Sequence, residues 1–274
     1  MIIAWALSLI TALISLNHAS FANDLYVYQV GDDFTLTVTQ DGENHGISGI
    51  PGATKGIEGD GNTVIIHQDG GQHSHVYGMI DGDNNIIDVY QGGTGESNDA
   101  TISITGDTNT VDINQGMYET GITDSIEGGN HQAEAIIVGN SNNVETYQAD
   151  QATNCCSDAH DLSVTLTGNN NDVYHVQRGA KHIGDIDVTG NSNDIDLMQR
   201  GSEGHAADID ISGDGHTVNS LQQDNANHSL TLDLSNGGGA YSITTTQENT
   251  TSRSYTLSGT CATTAGCAVT VTQN

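Results

Sequence analysis

The sequence predicts an all-β fold, a β-solenoid of about ten two-stranded coils (strand, turn, strand) of 22–33 residues with cross-β stacking. Three observations predict it. A ten-residue segment recurs along the chain, each copy closes on a Gln, and the residues on either side of its turn alternate apolar and polar.

The segment reads Gly-[Asp/Asn]-x-Asn-x-[Val/Ile]-x-x-x-Gln. It occupies 59–68, 82–91, 106–115, 139–148, 168–177, 190–199 and 213–222, and weaker copies end at Gln40, Gln247 and Gln273. The turn glycines are Gly31, Gly59, Gly82, Gly106, Gly139, Gly168, Gly190 and Gly213. Gly and Asn tolerate positive φ and Asp bonds its own backbone, so the run Gly-Asp-x-Asn is turn chemistry. A strand precedes each turn, as in 101–105 (TISIT), 162–166 (LSVTL), 185–188 (DIDV) and 208–211 (DIDI).

The alternation assigns the faces. Asn109, Val111, Ile113 and Gln115 share an inward face, Ile102 and Ile104 supply the facing strand, and Thr110, Asp112 and Asn114 point to solvent. One hairpin cannot bury its own apolar face. Stacking in register at about 4.8 Å closes a thin continuous core, so ten coils form a rod of roughly 48 Å. Buried amides must be paired. Identical amides at strand spacing pair with one another, as in cross-β ladders. The expected ladder comprises Gln29, Gln40, Gln68, Gln91, Gln115, Gln148, Gln177, Gln199, Gln222, Gln247 and Gln273, with Asn62, Asn85, Asn109, Asn142, Asn171 and Asn193 at the turns.

Composition agrees with a thin core. There are 34 Gly, and the single Pro is Pro51. Phe34 and the nine Tyr are the aromatic residues after position 22. Only Lys55, Arg178, Lys181, Arg200 and Arg253 oppose 35 acids, a formal charge of −30. Such a surface repels nucleic acid and anionic membranes. Residues 1–22 read as a secretory signal peptide, with an apolar stretch from Ile2 to Leu16 and a small-x-small site at Ser20-Phe21-Ala22. Nothing later is apolar enough to insert in a membrane. The remainder, 23–274, reads as a single solenoid domain with an irregular excursion at 41–58 and an insertion at 149–161.

Residues 23–40 (NDLYVYQVGDDFTLTVTQ) place Gln29, Gly31 and Gln40 at the offsets of the curlin repeat, Ser-x5-Gln-x-Gly-x-x-Asn-x-Ala-x3-Gln. Later units keep the Gly, the Asn and the final Gln, and replace the first Gln by Ile57, Ile80, Ile104, Ile137, Leu166, Val188 and Ile211. The chain after residue 22 therefore resembles the curlin family over essentially its whole length. The resemblance implies a structural subunit of extracellular, curli-like amyloid fibres at the cell surface, supporting adhesion and biofilm. The implied partners are further copies of the chain, a nucleator subunit and an outer-membrane secretion pore. A strand at Asn23 and a ladder running to Gln273 leave no cap at either end, which favours end-to-end growth. The alternatives are a monomeric acidic surface adhesin that binds cations or glycans, and a minor nucleator of the same fibre.

Candidate chemistry is sparse, and no cofactor is expected. Asp185, Asp187, Asp208 and Asp210 form a two-by-two carboxylate array on adjacent coils, Asp88, Asp112 and Glu145 align, and so do Asp60, Asp83 and Asp107. Such columns are either a solvated, screened face or a Ca²⁺ site. His73 and His75, two apart, read as a metal pair or as exposed loop histidines, and His175 and His216 fall at inward positions. Cys261 and Cys267 flank the last turn and are expected to bridge. Cys155-Cys156, roughly 24 Å away along the axis, lies beyond disulfide reach of that pair and is self-bridged or intermolecular. No nucleophile elbow, phosphate loop or zinc-protease motif occurs, so no enzyme is expected.

Overall fold

A computed structural model describes residues 11–16, 23–50, 56–93, 97–116, 129–149, 159–179, 181–235 and 239–274. Every regular element among them is a strand, and the strands form two parallel sheets. One sheet contains the strands that end in the repeated Gln. In stacking order it comprises Thr11–Leu16, Thr35–Glu43, Thr63–Gln72, Ile86–Gln91, Thr110–Gln115, Asn143–Ala149, Asp172–Gly179, Asp194–Gly201, Thr217–Gln222, Tyr241–Gln247 and Cys267–Gln273. We call it the Gln sheet. The opposite sheet stacks Asp24–Leu25, Gly46–Ser48, His75–Asp81, Asp99–Thr105, Gln132–Val138, Asp161–Thr167, Ile183–Thr189, Ile211–Ser212, Ser229–Ser235 and Ser254–Gly259. The short strands Gln29–Val30 and Ile57–Glu58 pair beside its first members. The chain is a β-solenoid of about ten coils.

Neighbours in the Gln sheet pair in register at the repeated Gln, Gln91 with Gln115, Gln115 with Gln148 and Gln148 with Gln177, and the one shift, between Asp41 and Glu43, falls past Gln40. The core is one column-built slab. Val111 and Ile113 from one sheet meet Ile102 and Ile104 from the other, all four essentially inaccessible to solvent. Each such aliphatic side chain contributes about 1.5–3 kcal/mol by leaving water. Small aliphatic residues suffice because each coil shares its core with the coils on both sides.

The turn between paired strands repeats one conformation. Gly106 has φ 135° and Thr108 φ 57°, with Asn109 buried beneath them. The left-handed position is the third of the motif, filled by Asp33, Gly61, Asn84, Thr108, Ser141, Asn170, Ser192 and Gly215 in successive coils. The first position needs Gly for a further reason. Turns stack backbone on backbone, so a Cβ at Gly139 would run into the carbonyl oxygen of Gly168.

Residues 41–58, expected as one irregular excursion, are only partly irregular. The strand Thr35–Glu43 runs past Gln40, and Gly46–Ser48 joins the opposite sheet against His75–Tyr77. Strand pairing stops after Ser48 and resumes at Ile57, opposite Ile80. Thr11–Leu16, within the expected leader, pairs in parallel with Thr35–Gln40. The rest of 1–22, residues 51–55 with Pro51, and most of the 149–161 insertion with Cys155-Cys156 lie outside the described residues.

The thin core makes a specific stability prediction. Ile113 is fully buried between Val89 and Thr146 of the adjoining coils. Ile113→Ala should cost about 2–5 kcal/mol. A lower urea midpoint, with faster amide exchange centred on strand 110–115, is the expected measurement.

Candidate functional site

The features able to act between coils, and between copies, are four polar columns that run along the solenoid axis. The first is the Gln ladder. Gln40 donates through Nε2 to Gln68 Oε1 at 2.8 Å, and the same bond repeats at Gln68–Gln91, Gln91–Gln115, Gln115–Gln148, Gln148–Gln177, Gln177–Gln199, Gln199–Gln222, Gln222–Gln247 and Gln247–Gln273. All nine lie between 2.8 and 3.1 Å and point the same way along the axis. The second Nε2 hydrogen crosses to the opposite sheet, from Gln148 to Gln132 O at 2.8 Å and from Gln222 to Ala206 O at 3.0 Å. Each Gln from Gln68 to Gln247 thus joins coil to coil and sheet to sheet. Aligned amides polarise one another, which strengthens the row.

Gln29 is a correction. It lies in the opposite sheet, not in this ladder, and its Nε2 donates to Gly31 O at 2.7 Å. Its neighbour in the stack is Ile57, which offers no amide.

The second column is the turn asparagines. Asn85 Oδ1 accepts the backbone N–H and the side-chain N–H of Asn109, whose Oδ1 does the same for Asn142, and the pattern continues through Asn171 to Asn193. Asn62 starts it. His216 takes over after Asn193. Its N–H donates to Asn193 Oδ1, and its Nδ1 accepts the N–H of Tyr241. The inward His216 is therefore a replacement for Asn.

The third column explains the acids at the turns. The backbone N–H groups of Asp32, Asp60 and Asp83 donate to the Oδ1 of Asp60, Asp83 and Asp107, and the row continues through Asn140, Asn169 and Asn191 to Asp214. These carboxylates are spoken for by backbone, with one acceptor oxygen already used in each.

The fourth column is histidine, which the sequence reading did not single out. His131, His160, His182, His205 and His228 stack with ring centroids 4.8–5.1 Å apart, buried at the looser corner of the coil. Nδ1 of His160, His182 and His205 accepts the N–H of the next corner residue at 3.0–3.2 Å. Nε2 of His160, His182, His205 and His228 lies 2.9–3.1 Å from a backbone carbonyl. An acceptor Nδ1 places the proton on Nε2, which then donates to that carbonyl, so the rings are neutral. In earlier coils the same corner is served by Asn23, Ser74 and Asn98. The signal was available in the sequence, since His131, His160, His182 and His205 precede Gln148, Gln177, Gln199 and Gln222 by one constant interval.

The remaining candidates are scattered. His175 sits in the core with Nε2 3.2 Å from Gln199 Oε1, and its ring fills the space left by Gly184 opposite. His73 and His75 do not converge. His73 Nε2 is 3.4 Å from the Asn44 amide, and His75 stacks on Tyr77 and lies 3.4 Å from Asp99. The chain does bring Asp185 and Asp187 beside Asp208 and Asp210, where burial and mutual repulsion raise Asp185 and Asp210. Asp112 lies in register between Asp88 and Glu145, and burial together with those two charges pushes its carboxyl up to about 6. Among the described residues no group of three or more His, Cys, Asp or Glu is placed to hold a metal ion. Cys261 and Cys267 are joined in a disulfide.

No family model, no curated protein and no solved structure matches the chain. The geometry of the columns therefore has to carry the functional argument.

Two predictions follow from the ladders. Gln148→Leu strands Gln115 Nε2 and Gln177 Oε1 without their partner. It should cost about 1–3 kcal/mol per stranded group, more than the same change at exposed Gln132, when both are compared by denaturant titration.

Burial holds His131 and His205 down to about 4 and His182 to about 3, against 6.5 in the unfolded chain. The unfolded state takes up protons first, so this contribution is complete above about pH 6.5 and is lost as pH falls towards 4. The loss is roughly 3 kcal/mol for a fully buried ring. Asp112 opposes it, because a raised carboxyl pKa adds stability on acidification. Replacing His131, His182 and His205 by Asn, the residue the column uses at position 98, keeps the acceptor and removes the titration. Stability measured against pH should be flatter between 6.5 and 4 in that variant than in the parent.

Proposed function

We propose that this chain is the structural subunit of an extracellular, curli-like fibre, in which copies stack end to end as the coils do within one copy. The observation that carries the reading is the Gln ladder, nine in-register bonds of one direction on parallel strands. Such a row has a donor side and an acceptor side. Gln273 presents its amide on the outermost strand of the Gln sheet, and Gln40 presents its own on the other side. A second copy that brings Gln40 onto Gln273 adds a tenth bond of the same kind and pairs strand 35–40 with strand 267–273.

Thr11–Leu16 occupies the edge at Thr35–Gln40, but it brings Leu16 opposite Gln40. Removal of residues 1–22 during secretion would open that edge. The charge of −30 keeps the separate chains soluble until they meet at their ends. The half-buried core side chains of the last coil, Tyr255, Leu257 and Val269, gain cover in the same step.

The test is direct. The chain lacking residues 1–22, incubated at high concentration, should form unbranched fibres with a meridional reflection at about 4.7–4.8 Å. Gln40→Leu and Gln273→Leu should each slow elongation of wild-type seeds while leaving the circular dichroism of the soluble chain unchanged. A chain that stays monomeric for days, or elongation unaffected by both substitutions, would sink the proposal.

A further inference from the structure

The opposite sheet carries three inward columns of side chains, and the middle one has a gap. From the fourth coil onward this column is filled by Ile102, Ala135, Val164, Ile186, Ile209 and Leu232, all buried. In the coil before Ile102 the position is Gly78. A Cβ built there meets nothing within 4 Å. One coil earlier, Ile47 and Ile57 pair with Val76 and Ile80, and none of the described residues between them pairs with Gly78. Among the described residues, two successive coils therefore place no side chain in this column.

The consequence is a cavity of about 570 Å³ between the sheets, within the size range of small-molecule sites. Leu36, Val64 and Ile66 line it from the Gln sheet, and Ile47, Ile80 and Ile102 from the other. In a chain with 35 acids, no carboxylate, ammonium, guanidinium or imidazole of the described residues lines this space. Tyr26 and Tyr28 lie at its mouth with 68% and 64% of their surfaces exposed. With Val27 and Val30 they make up four of the seven exposed large hydrophobic residues among the described residues. Exposed aromatic residues gathered at one apolar opening mark a recognition surface.

We infer that this gap is a binding site for a small, uncharged aromatic molecule. The described lining disfavours charged ligands, since it offers no counter-charge and a buried unpaired charge is costly. Two facing sheets about 10 Å apart leave a flat slot, which suits a planar ring system better than a bulky one. The two phenol rings at the mouth supply aromatic edges and faces for the ligand to pack against. The site is independent of polymerisation.

The test uses N-phenyl-1-naphthylamine, an uncharged fused aromatic that brightens in apolar surroundings, titrated into freshly prepared full-length soluble chain. One saturable site per chain is expected. Gly78→Val supplies the side chain that Val164 supplies in the same column, and the backbone at 78 is not in the left-handed region. It should weaken binding at least tenfold with an unchanged circular dichroism spectrum and an equal or higher melting temperature. Unchanged affinity in Gly78→Val, or no saturable binding to the parent, would overturn the proposal. If Gly78→Val does not fold, Tyr26→Ser with Tyr28→Ser, whose side chains are exposed, decides. A fall of threefold or more in their affinity supports the site, and a smaller change overturns it.

Discussion

In a solenoid only two strands thick, the constraint on everything else is that inward polar groups and corner amides must find their partners in the next coil. The sheets satisfy the strand backbone, but at each corner the chain bends and the usual ladder lapses. Here most corners are closed by a side chain that accepts an N–H from its counterpart one coil away. Asn109 does this for Asn142 at one corner, and His182 does it for His205 at the other. These bonds set the register, and the register then lays Val on Ile and Ile on Leu down the core. An apolar stack alone would tolerate slippage by two residues, because that keeps the same face inward. The corner acceptors would not, since a shift removes the acceptor from beneath its N–H.

The interchange of residue types along a column shows what is selected at each site. At the looser corner Asn23, Ser74, Asn98 and four histidines all accept one N–H. At the tight turn the row of Asn ends in His216 without a break in function. What each site needs is a short acceptor at a fixed depth. Imidazole meets it while adding ring-on-ring contact and a second bond to a carbonyl. The cost is a dependence on neutrality that Asn does not carry, because a proton on Nδ1 would displace the very N–H it accepts. The acids in register run the other way, for crowding makes Asp112 easier to protonate. The two responses oppose each other in the same pH interval.

Most of the architecture was legible in the sequence, because turn motif, alternation and Gln recurrence all report one period. The Gln and Asn columns were legible for the same reason. Gln29 misled because a match to a repeat offset does not say which sheet the residue occupies, and its stack neighbour Ile57 has no amide. The histidine column was missed for a different reason. Its members lie in the loop half of the coil, where insertions such as 149–161 vary the length, so the period is visible only when measured back from each Gln. The functional face of the turn acids was also hidden, since a list of Asp residues cannot show that Asp83 is already accepting from Asp60.

The gap at Gly78 has the opposite character from the rest of the fold. Elsewhere a departure from the pattern is compensated by its neighbour, as when His175 enters the core against Gly184. At Gly78 no described residue plays that part, although the backbone there is ordinary and a larger side chain would fit. A packed slab gains about 1.5–3 kcal/mol from one more buried aliphatic residue, so leaving the position empty works against stability. The coil before the two with this gap carries the exposed Tyr26 and Tyr28, and strand pairing lapses between Ser48 and Ile57. Three departures from the repeat gathered in the first coils set that end of the stack apart from the ladder behind it.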